Sequence, residues 1–107
     1  MREGAARGTV VRVRLPAQLQ QLAHCHAEVP VTVHGPVTQA GVLAALESAL
    51  PVLRNTVRDS STGRRRPFIR FYVGEEDLSN EAPASLLPAA VLEGREPFVV
   101  VGAMAGG

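Results

Sequence analysis

The 107-residue chain contains no lysine; all eleven of its basic residues are arginines. It therefore offers no side-chain amine for Schiff-base chemistry or for isopeptide bonds to itself. Its one cysteine, Cys25, excludes an internal disulfide. With no signal-peptide pattern and no run of eighteen apolar residues, a reducing cytoplasm is the expected compartment. No Gly-x-x-x-x-Gly-Lys phosphate loop occurs, and no nucleophile stands beside a base, so any ATP chemistry has to be handled by another protein. A net charge of +1 supplies no field for a polyanion or an acidic lipid surface. Neither nucleic acid nor membrane is expected as a partner.

What is present is a globular composition, 46% hydrophobic and 20% charged. That suffices for one domain burying roughly 60 to 65% of its unfolded surface without a metal or disulfide staple. Residues 1–8 hold glycines and arginines without periodicity and read as a flexible leader. Thr9 to Leu15 alternates, with Val11, Val13 and Leu15 on one face and Arg12 and Arg14 on the other, which predicts a half-buried strand. Pro16 ends it, and Ala17 to Ala27 reads as a connector of undefined shape whose Leu19 and Leu22 can close one end of a core. Glu28 to His34 alternates again through Val29, Val31 and Val33, giving a hairpin with the first strand. After Gly35-Pro36, Thr38 is placed to cap a helix over Gln39 to Leu50, with Leu43, Leu46 and Leu50 along one face and Pro51 as its stop.

Val52 to Pro67 is long and polar, with a turn over Asp59 to Gly63 and a cationic corner at Arg64-Arg65-Arg66 that reads as a solvated loop. Phe68 to Val73 alternates, placing Ile69, Phe71 and Val73 together, and Gly74-Glu75-Glu76-Asp77 reads as the turn that follows. Leu78 begins a short paired strand. Pro83 to Leu92 is an irregular or short helical crossing. Phe98 to Val101 is apolar without alternation, as expected of a strand covered on both faces.

Two clusters invite a metal reading. His24-Cys25-His26 places a thiol between imidazoles, but adjacent residues point apart and no second His/Cys pair completes four ligands. Glu75-Glu76-Asp77 are consecutive carboxylates at a turn, which rarely converge on one ion. No metal site is expected. The remaining candidate is the end of the chain, Gly102-Ala103-Met104-Ala105-Gly106-Gly107. A segment so poor in side chains can thread a narrow cleft, and its α-carboxylate, ionised above a pKa of roughly 3.5, can attack the α-phosphate of ATP.

Strand, strand, helix, strand, short strand, crossing, apolar strand and a Gly-Gly end is an order that resembles the MoaD/ThiS sulfur-carrier family. The resemblance rests on Val11 to Pro16, Gly35, Val42 to Leu46 leading to Pro51, Phe68 to Val73 with Glu76-Asp77, Leu87, Glu93-Gly94 and Ala105-Gly106-Gly107. It covers about Thr9 to Gly107, and the arginine-rich loop looks most like the stand-alone carriers of the cysteine-synthesis type. Gly102 stands where the family often has proline, and Gly74 where asparagine is usual.

The resemblance implies an α+β ubiquitin-like β-grasp over 9–101: a mixed sheet of four or five strands packed on one main helix, its first and last strands parallel at the centre, with a flexible tail over 102–107. It implies a carrier and not an enzyme. A ubiquitin-activating-like adenylating enzyme would use Mg and ATP to convert the Gly107 carboxylate to an acyl-adenylate, which a sulfur donor would displace to leave a thiocarboxylate. A sulfur-accepting synthase or cysteine-synthase-like enzyme would then take the sulfur, for molybdopterin, thiamin, cysteine or another product. The chain itself would bind no cofactor. Gly102 to Gly106, with exposed parts of Phe98 and Tyr72, are the expected partner-binding residues. Two other readings fit the same pattern: a ubiquitin-like modifier attached through Gly107, and a β-grasp interaction subunit whose tail stays unmodified.

Overall fold

The computed structural model describes residues 8–102. The expected leader, apart from Gly8, and the tail beyond Gly102 lie outside them. The described chain runs β1 (Thr9–Arg14), α1 (Ala17–Ala23), β2 (Glu28–Val33), α2 (Gln39–Ala49), a 3-10 turn (Pro51–Leu53), β3 (Ile69–Val73), β4 (Glu76–Asp77), α3 (Ala89–Leu92) and β5 (Phe98–Gly102). The five strands form one sheet in the order β2-β1-β5-β3-β4. β1 pairs antiparallel with β2 and parallel with β5, while β5 and β4 both lie antiparallel to β3. The mixed sheet with a parallel central pair is therefore as the sequence led one to expect.

Alternation explains how the sheet buries one face. Val11 and Val13 of β1, Val31 and Val33 of β2, Ile69, Phe71 and Val73 of β3, and Phe98 and Val100 of β5 are all buried. Val42, Leu43 and Leu46 of α2 join the same core. Thr38 starts α2 as the spacing predicted, its Oγ1 accepting a 2.9 Å bond from the Gly41 amide.

The Ala17 to Ala27 connector contains a helix. α1 buries none of its own residues fully; Leu19 packs against the core while Leu22 stays exposed. His24 ends it in the left-handed region, leaving Cys25 half-buried against the core between exposed His24 and His26.

The polar stretch over 52–67 is also more structured than its composition suggests. Leu53 and Val57 are core residues. Arg58 reaches back to Glu47 of α2 through two bonds of 2.9 and 3.0 Å. The arginine corner is not simply solvated: Arg65 Nε donates to the Ser79 carbonyl at 2.9 Å and its NH1 to the Ile69 carbonyl at 2.7 Å, and Arg66 Nε donates to the Asn55 carbonyl at 2.7 Å. These guanidinium forks satisfy carbonyls that a loop without regular pairing leaves open.

The turn after β3 is tighter than expected. Gly74, at φ +60°, bends the chain, and Glu76–Asp77 already form β4. Leu78 lies past that strand as a buried residue.

Candidate functional site

β5 carries the end of the described chain, and its two faces differ. Phe98 and Val100 point into the core, whereas Val101 is 40% exposed and Val99 half-buried on the open side. The expectation of a strand covered on both faces is corrected: the helices cover one face only. An unbroken valine run hid this, because both faces of β5 are apolar.

Register extends the open face across neighbouring strands. Val99 stands opposite Tyr72 of β3 and beside Arg14 of β1, and Val101 stands opposite Arg70. Paired residues share a face. Tyr72, Val99 and Val101 thus form an apolar strip flanked by Arg14 and Arg70, with Glu28 bonded to Arg14 at 3.0 Å. Apolar area left uncovered on one side of a sheet and rimmed by charge has the make-up of a docking surface.

Tyr72, named above as a partner-binding candidate, lies in this strip. Phe98 does not. It is fully buried, its ring 5.1 Å from that of Phe71 and tilted by 34°. Phe98 occupies the opposite parity from Val99 and Val101, so no part of it is available for docking. Val99, Val101 and Arg70 are the residues that sequence reasoning passed over. The signal that finds them is the pairing of Val13 with Phe98, which fixes which valines face outward.

Gly102 is half-buried at the last position of β5, opposite Ile69. It belongs to the sheet and not to the tail, so the domain extends one residue past its expected boundary. On the helix side Gly102 borders a groove of about 310 Å³, lined by Pro16, Leu19, Phe68, Ile69 and Arg66 among others. Ala103, Met104, Ala105, Gly106 and Gly107 lie outside the described residues.

The electrostatics at the β4 side of the open face are organised by Asp77, which pairs with Tyr72. Its Oδ1 accepts from the Ser79 amide at 2.9 Å and its Oδ2 from Arg70 at 2.6 Å. Hydrogen bonding from Ser79, then from Arg70, holds its carboxyl well below the usual carboxylate range, and Asp77 in turn raises the Arg70 guanidinium. Farther away, bonds from Ser61 and Thr62 lower Asp59, which thereby fixes the loop turn. Among the described residues no group of three or more His, Cys, Asp or Glu is placed to hold a metal ion.

No family model and no curated protein matches this sequence. Solved structures do. SAMP1 from Haloferax volcanii is 23% identical, with a TM-score of 0.69 over 92% of this chain and 99% of that one. The solution structure of small archaeal modifier protein 1 from Methanosarcina acetivorans is 18% identical, with a TM-score of 0.67 over 95% of this chain and 100% of that one. A chain of the Amycolatopsis orientalis BexX/CysO complex is 19% identical, with a TM-score of 0.68 over 91% of this chain and 99% of that one. Together with the strand order, these matches establish the fold as the ubiquitin-like β-grasp expected from the sequence.

Proposed function

We propose that this β-grasp chain is a sulfur carrier whose Gly107 carboxylate is adenylated by a separate enzyme and converted to a thiocarboxylate. The observation that carries the reading is the path of β5. β5 lies inside the sheet between β1 and β3 and ends at Gly102, five residues before Gly107 in the sequence. The likeness to a chain of the BexX/CysO complex supports it, since there a protein of this fold is assembled with a partner.

In this reading the chain acts as a handle. The strip of Tyr72, Val99 and Val101, with Arg14 and Arg70 beside it, docks on an adenylating enzyme while the tail enters that enzyme's cleft. Mg and ATP belong to the partner. The carboxylate oxygen attacks the α-phosphate and pyrophosphate leaves; sulfide then attacks the acyl carbon and AMP leaves, or a donor persulfide does so and a thiol of the partner enzyme cleaves the resulting acyl disulfide, leaving the thiocarboxylate and a partner disulfide. Glycines at 106 and 107 keep the acyl carbon open to both reactants. A sulfur-accepting synthase completes the cycle, in a reducing cytoplasm.

The likeness to small archaeal modifier protein 1 (SAMP1) favours a second reading in which the same acyl-adenylate ends on an amine of a target protein. Both readings share the first step. ATP–pyrophosphate exchange by the cognate adenylating enzyme is expected with the full chain and not with a chain lacking Gly107; exchange that survives the deletion contradicts both. Larger covalent species in a lysate, lost when Gly107 is removed, separate the modifier from the carrier.

A further inference from the structure

We propose that the cavity at the β4 edge of the sheet, where α2 begins, is a recognition pocket for a lysine side chain of a partner protein. The cavity measures about 180 Å³ and is lined, among others, by Gln39 from the first turn of α2, Glu76 of β4, and Leu78, Glu81, Leu86 and Leu87 from the segment that follows.

Gln39 singles this cavity out. Its side chain belongs to a residue only 5% exposed, and buried amides are normally hydrogen-bonded. Nε2 makes one contact, to the Leu78 carbonyl, which at 3.5 Å stands at the outer limit of a hydrogen bond. That carbonyl already accepts the Glu81 amide at 3.1 Å. A carbonyl only accepts, so the amide nitrogen is the end turned toward it and Oε1 the end turned away. Among the described residues nothing donates to Oε1, and it is not sealed from solvent, so its lone pairs open into the cavity.

Charge decides what such a pocket accepts. Glu76 and Glu81 are both exposed on its wall, and neither forms a salt bridge among the described residues. Against these two negative charges the N-terminus of α2 sets only about half a positive one, and the amides of Ala40, Gly41 and Val42 are already committed to Pro83 and Thr38. A cation is therefore favoured over an anion. Two carboxylates and one amide carbonyl match in number the three donors of an ammonium, whereas a guanidinium brings five in a rigid fork. Leu78, Leu86 and Leu87 supply apolar wall for a four-carbon stem, Leu86 being 73% exposed. The chain contains no lysine, so neither a segment of its own nor a second copy supplies that side chain. The occupant is a different protein. The pocket goes beyond the carrier reading and does not depend on it, because it concerns which protein the domain is held against and not what is done to Gly107.

Amide NMR of the full chain titrated with Nα-acetyl-lysine methylamide tests this against the norleucine analogue, which has the stem without the ammonium, and the arginine analogue. The expected result is saturable movement of the Gln39 side-chain amide and of the Leu78 and Leu86 backbone amides with the lysine analogue, none with norleucine, and weaker binding of the arginine analogue. Glu76→Gln and Glu81→Gln, both at exposed positions, should each weaken the lysine analogue about two- to fivefold while leaving the rest of the spectrum folded. Absence of localised movement with the lysine analogue overturns the proposal. So does equal movement with norleucine, which makes the cavity a purely apolar one, or equal or tighter binding of the arginine analogue, which makes it a guanidinium site. Affinity unchanged by both substitutions together overturns it as well.

Discussion

Asp77 and Arg65 show how single residues hold the second half of the sheet. Asp77 is tied to Ser79 and Arg70, and its carboxyl lies below the usual range in the folded chain. The stabilisation it gives is complete above the unfolded-state pKa of about 4 and drains away as pH falls below that toward the folded value. Asp77→Asn should therefore lower stability at pH 7 and flatten the loss seen below about pH 4 in unfolding curves; an unchanged acid limb contradicts this. Arg65 satisfies the carbonyls of Ser79 and Ile69 from a half-buried position. Its replacement by alanine should cost about 1.5 to 3 kcal/mol in urea unfolding, the range for hydrogen bonds to a charged group. Lysine should restore only part of that, having no planar fork to span both carbonyls. A corner that is merely solvated predicts no loss for either variant.

Elements differ in how far their sequence announced them. β1, β2, β3 and α2 were legible because one face of each is buried and the other polar, so hydrophobic period and burial coincide. α1 was missed because Pro16 precedes it without a side-chain cap and none of its residues is fully buried. Leu53 and Val57 lie in a 3-10 turn and an irregular loop, where core residues follow no period. β5 was recognised as a strand, but its sidedness was hidden: Phe98, Val99, Val100 and Val101 are all apolar, and only the register across β1 and β3 sorts them. The two faces of β5 should respond oppositely. Phe98→Ala should cost about 3 to 5 kcal/mol of folding stability. Val101→Glu should change stability by no more than about 1 kcal/mol, the span of strand preferences, yet weaken binding to the adenylating enzyme in titration calorimetry. Unchanged affinity for Val101→Glu removes the open face from the docking account.

At the scale of the whole molecule, parallel pairing at the sheet centre matters most. It places β5 between β1 and β3, so that Gly102, the last described residue, is held inside the sheet. The Gly-Gly end itself was legible in the sequence, but the groove at its root was not, because Leu19, Phe68 and Gly102 come from three distant segments. Intact mass spectrometry after incubation with the cognate adenylating enzyme, Mg-ATP and a sulfur donor tests the central claim most directly. The account predicts a mass gain equal to one oxygen replaced by sulfur, confined to a C-terminal fragment and absent from a chain lacking Gly107. An unchanged mass under conditions where that enzyme is active on the chain, or a gain that persists without Gly107, contradicts it.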